Sequence, residues 1–138
     1  MKKVLIFGIN GYLGGLSAAV LYREGWQIDG VGTTKKVDKN LSNMVENYIQ
    51  IKTRVAEIGL ILSNYNYIIF CISLDHNKSE IDFRHTIDIN CGILADIIQA
   101  SKLKSPSTRI LYLSTMHVYK DQNFECNVID PKNIYGYT

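Results

Sequence analysis

The sequence predicts an α/β fold, a doubly wound and mostly parallel sheet with helices on both faces. Three observations predict it. Short apolar runs alternate with longer stretches of helical period, the strongest runs are apolar at every position, and both prolines, Pro106 and Pro131, fall outside the runs.

Val4-Leu5-Ile6-Phe7 is a continuous apolar run closed by Gly8, as expected of a strand buried on both faces. After Gly14, Leu16, Ala19, Val20 and Tyr22 recur at helical spacing, and Gly25 stops the helix. Ile28 to Val31 is a second strand, interrupted by Asp29 and Gly30, and Tyr48 to Ile51 is a weaker third. Val55 to Leu62 reads as a helix and Tyr67 to Ile72 as a strong fourth strand. Phe83 to Ala100 carries a long helical period through Ile87, Cys91, Leu94, Ile97 and Ile98, and Arg109 to Leu113 is the fifth strand. The link from Thr33 to Asn47 fits neither period, and the chain from Tyr119 onward reads as polar loop. Parallel neighbours need crossover connections, and three of the four links contain a helix-length segment.

A length of 138 residues is that of one domain. Hydrophobic residues at 46% against 20% charged suit a packed core and exclude disorder. The formal charge of +2 is too small a surplus to point to nucleic acid or an anionic membrane. Three widely spaced cysteines form neither a metal pair nor a disulfide framework, which fits a reducing compartment. The apolar run after Lys2-Lys3 stops at Gly8, too short for a signal peptide or a membrane span, so the expected location is cytoplasmic. His76 and His85 lack partners at ligand spacing, and no metal is expected. Cys71 and Cys91 read as core residues rather than nucleophiles.

Gly8-Ile9-Asn10-Gly11-Tyr12-Leu13-Gly14 joins the first strand to the first helix with glycines at relative positions 1, 4 and 7. One glycine permits the tight turn, another lets backbone approach a diphosphate, and the third lets helix and strand pack closely. The helix N-terminal amides then face the phosphates. The expected ligand is a dinucleotide. Selectivity for NAD usually places an acid after the second strand, but here Gly32-Thr33-Thr34-Lys35-Lys36 carries no carboxylate before Asp38. Two lysines and two hydroxyls suit a 2′-phosphate, so NADP is expected ahead of NAD. The candidate cofactor-binding residues are Gly8, Asn10, Gly11, Tyr12, Leu13, Gly14, Thr33, Thr34, Lys35, Cys71 and Asn90.

These residues carry a resemblance. The GxxGxxG turn is that of short-chain dehydrogenase/reductases, and the chain resembles the N-terminal Rossmann-type domain of their extended branch, the NAD(P)-dependent epimerase/dehydratase family. Asn90-Cys91-Gly92-Ile93 is similar to its N-x-G-T helix segment, with Ile93 in place of threonine. Leu113-Ser114-Thr115-Met116-His117-Val118-Tyr119-Lys120 is similar to S-S/T-x-x-V-Y-G after the fifth strand, with Lys120 in place of glycine. Pro131 to Thr138 resembles the segment ending in Y-G-x-S/T-K.

The resemblance implies a nucleotide-sugar substrate, Tyr135 as catalytic base, Thr115 hydrogen-bonded to the reacting sugar oxygen, and Asn90 near the site. Met116 and His117 stand where the family's dehydratases carry Asp-Glu, so an epimerase or 4-keto reductase is expected. A free tyrosine ionises near pH 10, so a base working near pH 7 needs roughly 4 kcal/mol of phenolate stabilisation. In the family a lysine one helical turn on contributes to it. That lysine would be residue 139, one past Thr138. The expectation is therefore the cofactor half of a longer enzyme, inactive by itself and without the substrate domain. The alternatives are an NADP-binding or regulatory module that performs no chemistry, and a structural fragment whose site stays empty.

The family commonly pairs through helices, and a homo-oligomer is expected. An outer edge of the fifth strand without its next neighbour would add a template for association. Light scattering at micromolar concentration should therefore show self-association, and a monodisperse monomer would contradict this.

Overall fold

Lys3–Phe7 forms β1, and Val4, Leu5, Ile6 and Phe7 are all fully buried, as a central parallel strand requires. The structure, a computed structural model, describes residues 2–51, 62, 65–74, 76–120, 128–131 and 133–138. The chain packs as two compact units, Met1–Ile72 with Asp96–Tyr112, and Ser73–Ala95 with Leu113–Thr138.

The first unit holds the sheet. After β1 come helix α1 (Tyr12–Arg23), β2 (Gln27–Gly32), β3 (Asn47–Gln50), β4 (Tyr67–Phe70) and β5 (Arg109–Tyr112). All four pairings are parallel and the strand order is β3-β2-β1-β4-β5, the doubly wound arrangement that the alternation predicts. Val4, Ile6, Ile9, Ala18, Ile28, Leu41 and Ile69 form one core cluster. Phe7 meets Phe70 at 6.1 Å between ring centroids, and Phe70 meets Tyr112 at 6.2 Å. Full burial of each large aliphatic side chain contributes about 1.5–3 kcal/mol. β5 differs from the inner strands. Among the described residues it pairs with β4 alone, and Leu111 is 53% exposed.

Several boundaries differ from the sequence reading, most by one or two residues. α1 starts at Tyr12, not after Gly14, because the glycine turn closes directly onto it. Its buried face is Gly14 and Ala18, whereas Leu16, Val20 and Tyr22 of the expected apolar stripe are about half exposed. Small residues let the helix lie close to the sheet, so here size outweighs hydrophobicity. β4 ends at Phe70 rather than Ile72, since Gly8 turns β1 away and the Cys71 amide takes the last β1 carbonyl, that of Phe7, at 3.0 Å. The ambiguous link after β2 contains a 3-10 turn, Lys39–Leu41, whose Asn40 amide donates to the Asp38 carboxylate. The expected helix at 55–62 lies outside the described residues except for Leu62, which is fully buried.

The second unit contains α2 (His76–Ser79), α3 (Phe83–Ile87) and a π-helical turn (Asp88–Gly92); the turn continues into α4 (Ile93–Lys104), which belongs to the first unit from Asp96 on. The expected helix at 83–100 therefore runs four residues further. Its buried positions are Thr86, Asn90, Ile93, Ile97 and Ser101; of the expected stripe Ile87, Cys91, Leu94, Ile97 and Ile98, Ile97 is fully buried as expected, and the rest of the buried face lies one step around. Two of the expected five, Ile87 and Ile98, are exposed. The polar members of the inward face hide it from a hydrophobicity pattern. The tail is not all loop. Tyr119 and Ile129 form an antiparallel bridge, and α5 (Ile134–Tyr137) is capped by the Asn133 side chain, which accepts from the Gly136 amide at 2.9 Å.

One buried charge sits inside the sheet. Asp29 of β2 is 2% exposed and accepts from the Tyr65 hydroxyl at 2.6 Å, the Lys3 ammonium at 3.0 Å, and the Asn47 amide and side chain at 3.1 and 3.0 Å. Burial pushes its carboxyl up, but the hydrogen bonds from Tyr65, Lys3 and Asn47 and the charge of Lys3 together hold it below its ordinary value. Burial, and then Asp29 itself, push the Tyr65 hydroxyl well above its ordinary value. The carboxylate therefore stabilises the fold above about pH 4, and that stability is lost as pH falls through the lower folded value. Neutral Tyr65 works in the opposite sense: its contribution is complete below about pH 10 and lost as pH rises through the folded value. Thermal melts of the wild type should fall steeply in acid, and those of Asp29→Asn should be flatter there. Urea unfolding at neutral pH should show Asp29→Asn less stable by about 3 kcal/mol.

Candidate functional site

The turn Gly8–Gly14 is built as its spacing requires. Gly8 takes φ +80°, and its amide donates to the Val31 carbonyl at 2.8 Å, tying the turn to the end of β2. At Gly14 a Cβ would stand 2.2 Å from the Gly8 carbonyl oxygen, so helix and turn can meet only without a side chain there. Gly11 caps α1 with ordinary extended backbone and provides no side-chain hydrogen bond. The first turn of α1 carries no acid, and Tyr12 is 86% exposed. The result is an open, uncapped helix N-terminus of positive potential, suited to an anion.

The turn has a second attachment. Asn10 donates from Nδ2 to Thr34 Oγ1 at 2.6 Å and to the Lys36 carbonyl at 3.0 Å, and its Oδ1 accepts from the Asp38 amide at 2.9 Å. The expected cofactor-binding Asn10 thus directs its side chain to the segment after β2. Thr33, Thr34, Lys35 and Lys36 are exposed, and no ion pair engages either lysine among the described residues. Cys71 is half-buried, and burial pushes its thiol up. Its carbonyl oxygen lies against Gly8, where a Cβ would approach it to 3.0 Å, so Cys71 borders the turn through its backbone.

The second unit gathers the other candidates. Asn90, in the π-helical turn, accepts from the Leu74 amide at 2.7 Å and donates to Thr138 Oγ1 at 2.9 Å. Cys91 Sγ donates to the Thr138 carbonyl at 3.2 Å. A π-turn widens the helix locally and aims a residue that a regular helix would not; here that residue is a buried asparagine holding the end of α5. Gly136 packs against the 3-10 turn Met116–Val118, where a Cβ would stand 2.3 Å from the His117 carbonyl oxygen. That close approach sets the Tyr135 ring edge-on to His117, with centroids 5.3 Å apart. The His117 amide donates to Thr115 Oγ1 at 3.2 Å, so His117 touches both expected catalytic residues. Among the described residues, no group of three acidic, histidine or cysteine side chains could hold a metal ion. No helix among them is long and apolar enough to cross a membrane.

The sequence profile of the NAD dependent epimerase/dehydratase family matches residues 4–138. The chain belongs to that family. A comparison with curated proteins gives no match. Solved structures share its fold. MoeE5 in complex with UDP-glucose and NAD superposes with a TM-score of 0.83 at 19% identity, covering 98% of this chain and 44% of that one. A UDP-glucose-4-epimerase from Stenotrophomonas maltophila, with bound NAD and formylated UDP-arabinopyranose, gives 0.83 at 14% identity, covering 99% and 45%. Uronate dehydrogenase from Agrobacterium tumefaciens gives 0.77 at 17% identity, covering 99% and 51%. The chain spans about half the length of these structures.

Within this epimerase/dehydratase-family chain, sequence reasoning missed Tyr48, Gln50 and Asp38, which surround the segment after β2. The β2–β3 register, which pairs Gly30 with Tyr48 and Gly32 with Gln50, brings the first two there, and no local pattern encodes it. Asn133 was detectable, since an asparagine three residues before Gly136 is an N-cap signal.

Gly14 and its neighbour provide a contrast. A Cβ at Gly15 would make only ordinary contacts, 3.6 Å from the Ile9 carbonyl oxygen and from a Leu41 methyl. Gly14→Ala should lower stability by about 1–3 kcal/mol in urea titration. Gly15→Ala should raise it by up to about 1 kcal/mol.

Proposed function

We propose that the chain is the coenzyme-binding part of an NAD(P)-dependent nucleotide-sugar epimerase or 4-keto reductase, acting in the cytoplasm as a homo-oligomer and preferring NADP. The observation that carries this reading is the bare N-terminus of α1, held open by Gly11 and drawn onto β1 by Gly14. Family membership and structural neighbours solved with NAD and UDP-sugars support it. The residues present fit a dinucleotide: uncapped amides for a diphosphate, and exposed Thr33, Lys35 and Lys36 for a 2′-phosphate.

When bound, oxidised nicotinamide accepts a hydride from a sugar carbon. Tyr135 would take the proton from the hydroxyl on that carbon, so that C–H and O–H are lost together and a ketone forms. Thr115 Oγ1 already accepts from the His117 amide, which leaves its own proton to donate to the reacting oxygen. The epimerase and 4-keto reductase readings differ in whether the ketone is formed at the site or supplied from outside. Elimination of water needs an acid and a base, and Met116 and His117 supply no carboxylate.

Calorimetric titration tests the coenzyme reading. Both dinucleotides should bind, NADP more tightly. The double variant Lys35→Ala with Lys36→Ala should reduce NADP affinity about tenfold or more, the scale of one charged hydrogen bond, and leave NAD nearly unchanged. Equal wild-type affinities would remove the NADP preference, and binding of neither would overturn the reading.

A further inference from the structure

A cluster on β3 adjoins the coenzyme segment. Tyr48 Oη donates to the Thr34 carbonyl at 3.0 Å and lies 2.9 Å from Thr34 Oγ1. Thr34 Oγ1 also lies 2.9 Å from the Lys36 carbonyl and 2.6 Å from Asn10 Nδ2. A hydroxyl has one proton and two lone pairs. Tyr48 gives its one proton to the Thr34 carbonyl, so the Thr34 hydroxyl accepts from Asn10 and directs its own proton to the Lys36 carbonyl and Tyr48 Oη, which keeps that proton within the protein. Gln50 Nε2 holds the Thr33 carbonyl at 3.0 Å. Gly32 makes room for this arrangement, because a Cβ there would stand 2.6 Å from Tyr48 Oη.

The segment after β2 is therefore gripped from two sides, by Asn10 of the glycine turn and by Tyr48 and Gln50 of β3. Among the described residues, nothing engages the Thr33 hydroxyl or the Lys35 and Lys36 ammoniums. We propose that Asn10 and Tyr48 are positioning residues for coenzyme choice: through Thr34 they hold the segment in the one conformation that presents Thr33, Lys35 and Lys36 to a 2′-phosphate. Thr34 is then a pillar of the segment and not a ligand. The inference rests on the dinucleotide reading. Its physical basis is preorganisation, since a segment ordered before binding loses less freedom on meeting the ligand. The diphosphate turn and the 2′-phosphate segment become one unit, joined by the Asn10 side chain.

The decisive variant is Tyr48→Phe, which keeps the ring packed against the core and removes the hydroxyl. Titration with NADP and NAD should show the NADP-to-NAD affinity ratio falling about tenfold, with NAD affinity changed less than about threefold. In the free protein, amide exchange at Asp38 should accelerate while β1 and β2 stay protected. Adding Lys35→Ala and Lys36→Ala should lower the ratio much less in Tyr48→Phe than in the wild type, as expected of coupled groups. A wild type that prefers NADP with the ratio unchanged in Tyr48→Phe would overturn the inference and leave the coenzyme reading standing. So would an equal loss of both affinities, which would mark Tyr48 as a general stabiliser. A wild type that binds neither dinucleotide would remove the coenzyme reading itself.

Discussion

The start of α1 lies so close to the carbonyl of Gly8 that a Cβ at residue 14 would stand 2.2 Å from its oxygen, and the candidate site depends on this approach. Because residue 14 has no side chain, the helix can begin against the end of β1 with its first amides at the turn. The same turn fixes where β1 stops, hands its last carbonyl to Cys71 on one side, and takes the Val31 carbonyl on the other. Three strands are thereby brought into register at the point where the helix dipole emerges. A diphosphate site needs that coincidence of a free helix end and a rigid strand end.

Polar groups on inward faces recur in both units. Asp29 is buried in a strand, yet each oxygen is matched by donors from Lys3, Tyr65 and Asn47. Asn90 is buried in a helix and joins the backbone of Leu74 to the last turn of the chain. Buried polar groups are tolerated when every partner is present, and they then fix geometry more narrowly than apolar packing does. In the first unit the network locks strand pairing. In the second it holds the short helix that carries Tyr135.

Much of the architecture was legible. The uninterrupted apolar strands, the helix stop at Gly25 and the GxxGxxG turn lead to the parallel sheet because each is a local signal with one cheap structural solution. The helix faces were not legible in the same way. Hydrophobicity rightly selected Ile97, but it also selected Leu16 and Val20 in α1, and Ile87 and Ile98 further on, while the buried faces include Gly14, Ala18, Thr86, Asn90 and Ser101. Close packing chose small residues in the first case, and in the second hydrogen bonds hold Thr86 and Asn90 inward. Neither property registers on an apolar scale. The tail read as loop for a related reason: α5 is four residues long, and its stability comes from the Asn133 cap and the docking of Gly136 on the 116–118 turn.

By itself, then, the sequence determined the alternation of strands and helices, the glycine turn, and the residue types available to a coenzyme and a base, since these depend on neighbours within a few positions. Tertiary structure decided which of those groups are available. It engages the Thr34 hydroxyl and the Asn10 amide within the protein, leaves Lys35 and Lys36 exposed, and sets His117 against Tyr135. Hydrogen-bond capacity is finite, and whether a group retains any for a ligand depends on contacts such as those of Tyr48 with Thr34, 14 positions away.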